Sequence, residues 1–138
     1  SNCGIDIRYR DIPDRDYILT KVREICEITT VEGTTSSLGI RGEFYPLNPS
    51  AQSAELFEIY KEIAAADHVQ ISGEHSGGCA DSGFIAAAGT PVICGVGPVG
   101  GNYHRQDEWM QINSLAERAC FIARSILKLT NLSTKTGL

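Results

Sequence analysis

Two prolines three residues apart, in Pro46-Leu47-Asn48-Pro49, constrain this chain more than any other feature. Each removes a backbone donor and fixes its own φ, so neither a helix nor a central strand runs through the pair. The texture differs on either side. Upstream, "GIDIRYRD" sets Ile5, Ile7 and Tyr9 against Asp6, Arg8 and Arg10. That period of two predicts a strand with one wet face. Pro13 and Asp14 open a helix carrying Ile18, Val22, Ile25 and Cys26, which ends near Thr29 to Gly33. "TSSLGIRGEFY" reads as a second strand, with Leu38, Ile40 and Phe44 opposite Arg41, Glu43 and Tyr45. Residues 1–46 thus form strand, helix and strand of antiparallel character.

Downstream the pattern alternates helix and strand. Leu56, Ile59, Tyr60 and Ile63 mark a helix from Ser50 to Ala66. "HVQIS" is a short buried strand, "SGGCADSG" a glycine turn, and "FIAAAG" a small-residue helix. "TPVICGVG" lacks alternation, as a strand covered on both faces does. Ser114 and Glu117 match a capping box. It precedes a helix with Leu115, Ala119, Ile122, Ala123 and Ile126 on one face, ending near Leu129 before a frayed tail. Residues 47–138 therefore predict a layered α/β domain.

Composition narrows the function classes. The 17 acids against 12 bases leave a net charge of −5 with no basic stripe, which argues against a nucleic-acid partner. No apolar run approaches the roughly 20 residues that a membrane span needs, and no targeting segment is visible. Cys3, Cys26, Cys79, Cys94 and Cys120 are odd in number and have no CxxC pair. They predict reduced thiols in a cytoplasmic protein.

The loop "GPVGGNYHRQDE" gathers the polar groups that scaffold does not need. Gly95, Gly97 and Gly100 spell G-x-G-x-x-G, but no helical pattern follows to hold a pyrophosphate, which argues against a dinucleotide site. His104 has imidazole chemistry suited to zinc. Zinc needs three or four protein ligands, however, and the chain has no HxxEH, HxD or spaced His pair. His104 is then either a solvated loop residue or one member of a ligand set completed elsewhere. Asp107 and Glu108 are candidates to orient it, or a wet acid pair. His68 and His75 read as structural, as does Cys79, because no base is placed beside it. Trp109 and Met110 are expected to pack beneath the loop.

The ordered set from Ser76 to Leu129 resembles the C-terminal end of the co-catalytic zinc exopeptidases and deacylases. It runs Gly-Gly turn, Asp81, small-residue helix, G-x-P, strand, glycine loop, His104, acid pair and final helix. That family includes glutamate carboxypeptidase, acetylornithine deacetylase, succinyl-diaminopimelate desuccinylase and aminoacylase. "IDIRYR" and "IRGEFYP" look like strands of its inserted lid. The resemblance implies part of an α/β catalytic domain over 47–138 and half of a ferredoxin-like α+β lid, used for dimerisation, over 1–46.

It further implies that His104 is a zinc ligand, that Arg41 grips the substrate's carboxylate, and that Gly77 and Gly78 bring backbone to the same group. A guanidinium fork suits that task on independent grounds. Ala80 stands where the family has a small hydroxyl residue, and Asp81 is expected to cap the next helix or orient the loop. The implied reaction is di-zinc hydrolysis of an amide, with cobalt able to replace zinc, on an N-acyl amino acid or peptide. The implied state is a homodimer. The family's H-x-D, bridging Asp, Glu-Glu pair and general-base glutamate have no counterpart here. The chain therefore reads as the last third of such an enzyme, inactive alone. The competing reading is a non-catalytic module that dimerises or binds an amino acid.

Overall fold

The computed structural model describes residues 1–28 and 30–136. It contains four helices, α1 (Ile12–Glu27), α2 (Ala51–Ala66), α3 (Ser82–Ala87) and α4 (Ile112–Thr136). It also contains two short strands, β1 (Gly100–Gly101) and β2 (Trp109–Met110), paired antiparallel with Gly100 opposite Met110 and Gly101 opposite Trp109. The contacts divide the chain into two compact units. One is Ser1–Asn48 with Ser76–Thr90, and the other is Pro49–His75 with Pro91–Leu138. Residues 76–90 thus group with the N-terminal segment, and not with the rest of 47–138.

In the first unit, α1 begins as its sequence dictates. Asp11 is the N-cap and accepts from Asp14 N at 2.9 Å, with proline in the first turn where its missing N–H costs nothing. Ser36 Oγ closes the other end by donating to Cys26 O at 2.6 Å. Thr29, where the helix end was expected, lies outside the described residues. Ile18, Leu19, Val22 and Cys26 form the partly covered face, while Ile25 stays exposed.

A fork of hydrogen bonds joins three parts of this unit. Arg15 Nε donates to Glu43 Oε1 and Nη2 to Glu43 Oε2, the second at 2.9 Å. The Tyr9 hydroxyl lies 2.7 Å from Phe44 O and 3.2 Å from Glu43 Oε1. The Arg15 bonds hold the Glu43 carboxyl below the usual carboxylate range. Burial, reinforced by the Glu43 charge, raises the Tyr9 hydroxyl.

In the second unit, α2 is capped by Ser50, which accepts from Ser53 N at 3.1 Å. Its C-terminus is a Schellman closure. His68 N bonds Ala65 O and Val69 N bonds Ala64 O, each at 3.0 Å, with His68 left-handed at φ 62°. His68 thus has a structural role, though through its backbone and not through its charge. The core forms where α2 meets α4: Tyr60, Ile63, Ala64 and Phe121, with Ile59, Val69, Ile71, Ile93 and Val96 against them. Tyr60 and Phe121 meet edge to face at 6.1 Å. Burying an aromatic of this size stabilises the fold by roughly 1.5–3 kcal/mol.

The structure corrects the expected strands. Residues 5–10, 35–45, 68–72 and 90–97 contain no ladder strand among the described residues. Alternation assigns faces, but a strand exists only when a neighbour takes its N–H and C=O groups. Over 91–99 side chains take them instead. Val92 N donates to Ser53 Oγ at 3.1 Å, Val96 O accepts from Tyr60 Oη at 3.3 Å, and Val99 N donates to Ser114 Oγ at 2.8 Å.

The last helix departs from expectation in three ways. It starts at Ile112, ahead of the proposed capping box. Ser114 lies inside it, buried, accepting from Val99 and donating to Gln111 O at 2.6 Å, so the Ser114–Glu117 pair is no cap. It continues past Leu129 to Thr136, while 137–138 lie outside the described residues. The buried face is Ser114, Phe121 and Ser125, and the apolar stripe of Leu115, Ala119, Ile122, Ala123 and Ile126 faces outward.

Candidate functional site

The glycine turn belongs to the first unit. Ser76 Oγ accepts from Gly78 N at 3.0 Å, which folds the turn locally. Arg8 Nη1 donates to Gly77 O at 2.7 Å, and Arg8 Nε lies 3.5 Å from Asp6 Oδ1. The rest of the guanidinium points to solvent, its side chain 70% exposed. Gly77 N–H has no partner among the described residues. Beside this turn, then, stands a cation with spare donors and an unspent backbone donor. That set suits a carboxylate.

Arg41 is exposed and makes no hydrogen bond or ion pair among the described residues. Nothing brings it to Gly77, whose nearest side chain is Arg8. Sequence reasoning passed over Arg8. Its position on the polar side of "IDIRYR" was visible, but nothing in the spacing distinguishes it from Arg10 or Arg41. Only the contact across 69 positions does.

Asp81 occupies the N-cap position of α3, but its side chain makes no capping bond. Its φ of −60° and ψ of −19° are helical, and a helical backbone turns the carboxylate away from the amides that a capping residue reaches in the β region. Cys79 is exposed, and all five cysteines are free thiols.

His104 belongs to the second unit, at the tip of the β1–β2 hairpin. Glycines are required at its base. A Cβ on Gly101 would lie 2.9 Å from the Trp109 indole nitrogen, and one on Gly100 would lie 2.7 Å from Trp109 O. The loop then turns through two left-handed residues, Asn102 at φ 57° and His104 at φ 65°. Asn and His are both among the non-glycine residues that adopt this conformation most readily.

The acids brace the loop, not the imidazole. Asp107 takes Asn102 Nδ2 at 2.9 Å and Arg105 Nε at 2.8 Å. Glu108 Oε2 accepts from His104 N at 3.3 Å. The His104 ring is exposed and makes no hydrogen bond among the described residues. Trp109 stacks on the Gly101 side of the hairpin but is 51% exposed, as is much of Met110, so neither is buried beneath the loop.

The sequence model of Peptidase family M20/M25/M40 matches residues 18–128. The chain belongs to this family. Peptidases of the M20 family are generally metal-dependent hydrolases, so the chain derives from a metallohydrolase lineage. No curated protein and no solved structure matches it.

The M20 match spans both the glycine turn and the His104 hairpin. The donors around His104 do not themselves make a metal site. Among the described residues no three His, Cys, Asp or Glu side chains converge, and Asp107 is already committed to Asn102 and Arg105. Any metal held by His104 needs further donors from outside these residues. Within the described residues no helix is long and apolar enough to cross a membrane.

Proposed function

We propose that this M20 chain is part of a di-zinc metallohydrolase that cleaves an amide bond and releases an amino acid with a free carboxylate. A glutamate carboxypeptidase-like enzyme or an N-acyl amino acid deacylase fits this description. The observation that carries the reading is Arg8 Nη1 on Gly77 O, which puts a guanidinium with free donors beside a backbone turn. Arg8, with the Gly77 and Gly78 backbone, grips the carboxylate. Arg41 is a second cation in the same unit, with no hydrogen bond or ion pair among the described residues. His104 contributes one imidazole to a metal set completed by other residues.

The parent enzyme acts as a homodimer in the cytoplasm. The exposed apolar stripe of α4 supports the first point, and the five free thiols support the second. The absence of a three-donor cluster among the described residues favours a second reading for these residues taken alone, a module that binds an amino acid without turning it over.

The test is a titration with N-acetyl-L-glutamate, followed by amide NMR, against the same compound with both carboxylates amidated. The acid should shift Gly77 and Gly78 and the diamide should not. Arg8→Ala should abolish the response. Equal shifts with the diamide, or a response indifferent to Arg8→Ala, would remove the carboxylate site.

A further inference from the structure

Gly83 lies five residues beyond Gly78, in the first turn of α3, and is buried. A Cβ there would overlap the Tyr45 carbonyl oxygen and lie 2.8 Å from the carbonyl carbon. The obstacle is backbone, so it cannot swing away as a side chain would. The next residue, Phe84, packs its ring against Phe44 at 5.6 Å and edge-on against Tyr45 at 5.3 Å. The start of α3 is therefore seated on residues 44–45 by a missing side chain and by an aromatic pair.

Residues 44–45 are themselves held from the far side. Tyr9 Oη bonds Phe44 O, and the Arg15 fork holds Glu43. Arg8, the neighbour of Tyr9, returns to Gly77 O. The contacts close a circuit: residue 8 to 77, along the chain to 83–84, across to 44–45, and back to residue 9. Every step lies within the first unit. A circuit of this kind fixes one gap by means of the others. Lifting α3 off Tyr45 must either move the glycine turn relative to Arg8 or strain the four residues between Gly78 and Gly83.

We infer that Gly83 is a positioning residue: its contact with Tyr45 sets the place of the Gly77–Gly78 turn against the Arg8 guanidinium, and so sets affinity for a carboxylate. This rests on the proposed role of Arg8 and the turn. Gly83 touches no substrate and acts only through the turn.

The test compares Gly83→Ala with Phe84→Leu in the full chain, using the amide resonances of Gly77 and Gly78 and the Nε–H resonance of Arg8. Both variants should shift these three signals while amides in α2 and α4 stay in place. Affinity for N-acetyl-L-glutamate should fall roughly tenfold in Gly83→Ala, as displacement of a positioned group does. A residue that served stability alone would give no selective shift.

If Gly83→Ala does not fold, Phe84→Leu decides, since it adds no atom near Tyr45 O. Unmoved Gly77 and Gly78 signals in the folded variants would overturn the inference. If the wild type does not bind N-acetyl-L-glutamate, the carboxylate reading falls and takes the affinity claim with it. The three resonances still decide whether Gly83 places the turn.

Discussion

The Ser114 hydroxyl stands between two backbones, accepting from Val99 N at 2.8 Å while it donates to Gln111 O at 2.6 Å. One buried side chain thus ties the entry to the His104 hairpin onto the start of α4. Ser114→Ala leaves the Val99 amide without an acceptor, which costs roughly 1–3 kcal/mol. Urea unfolding should show a lower midpoint with an unchanged slope. A midpoint within error of the wild type would mean that water replaces the hydroxyl.

The Arg15–Glu43–Tyr9 fork makes stability depend on pH at both ends. Glu43 has a depressed pKa when folded, so its contribution is complete above the ordinary carboxylate value and is lost as pH falls through the folded one. Tyr9 is raised, so its contribution is complete below the ordinary phenol value and fades as pH climbs through the folded one. Glu43→Gln should flatten the acid limb of a stability–pH curve, and Tyr9→Phe the alkaline limb. Parallel curves for wild type and variants would rule out the fork as the source.

Metal binding by these residues alone should be weak and should centre on His104, because one imidazole cannot replace a set of three or four ligands. Calorimetric titration with zinc or cobalt at neutral pH should give a shallow isotherm that His104→Ala removes. The same preparation should show negligible hydrolysis of N-acyl amino acids and of dipeptides ending in glutamate. Tight stoichiometric binding, or turnover that dies with His104→Ala, would show a self-sufficient centre.

The outward stripe on α4 should make the chain self-associate. Ile112, Leu115, Ile122, Ile126 and Leu129 are all at least 36% exposed, an apolar face without cover. Light scattering should report species larger than one chain. Leu115→Glu combined with Ile126→Glu should reduce the mass without loss of helix signal. A monodisperse wild-type monomer would contradict this.

What the sequence disclosed and what it hid follow one physical division. The starts of α1 and α2 were legible because their causes are local, whereas the start of α4 was not. Asp11 before a proline and Ser50 before Ala51 need only their own next residues. The glycine turn and the His104 loop were legible for the same reason, being written in short runs of glycine and polar residues. Strands were not, since a partner in register lies outside any short window. In α4 periodicity finds the apolar stripe, whereas the packed side is chosen by what Ser114 and Phe121 meet. The Arg8–Gly77 contact was hidden for the same reason, since its two residues lie far apart along the chain. The family resemblance found the segment, whereas the contact of Arg8 with Gly77 arises only from packing.

Residues 76–90 group with residues 1–48, and 91–136 group with the segment from Pro49 to His75. The chain therefore interleaves its two bodies, and packing in each waits for a segment that lies beyond part of the other. Phe44 and Tyr45 emerge with their aromatic seat empty, and wait for Phe84. The α2 helix emerges with Tyr60 bare, and waits longer, for Phe121. Each body closes a long loop before it gains its packing, so assembly should be limited by two successive returns of the chain and not by helix formation.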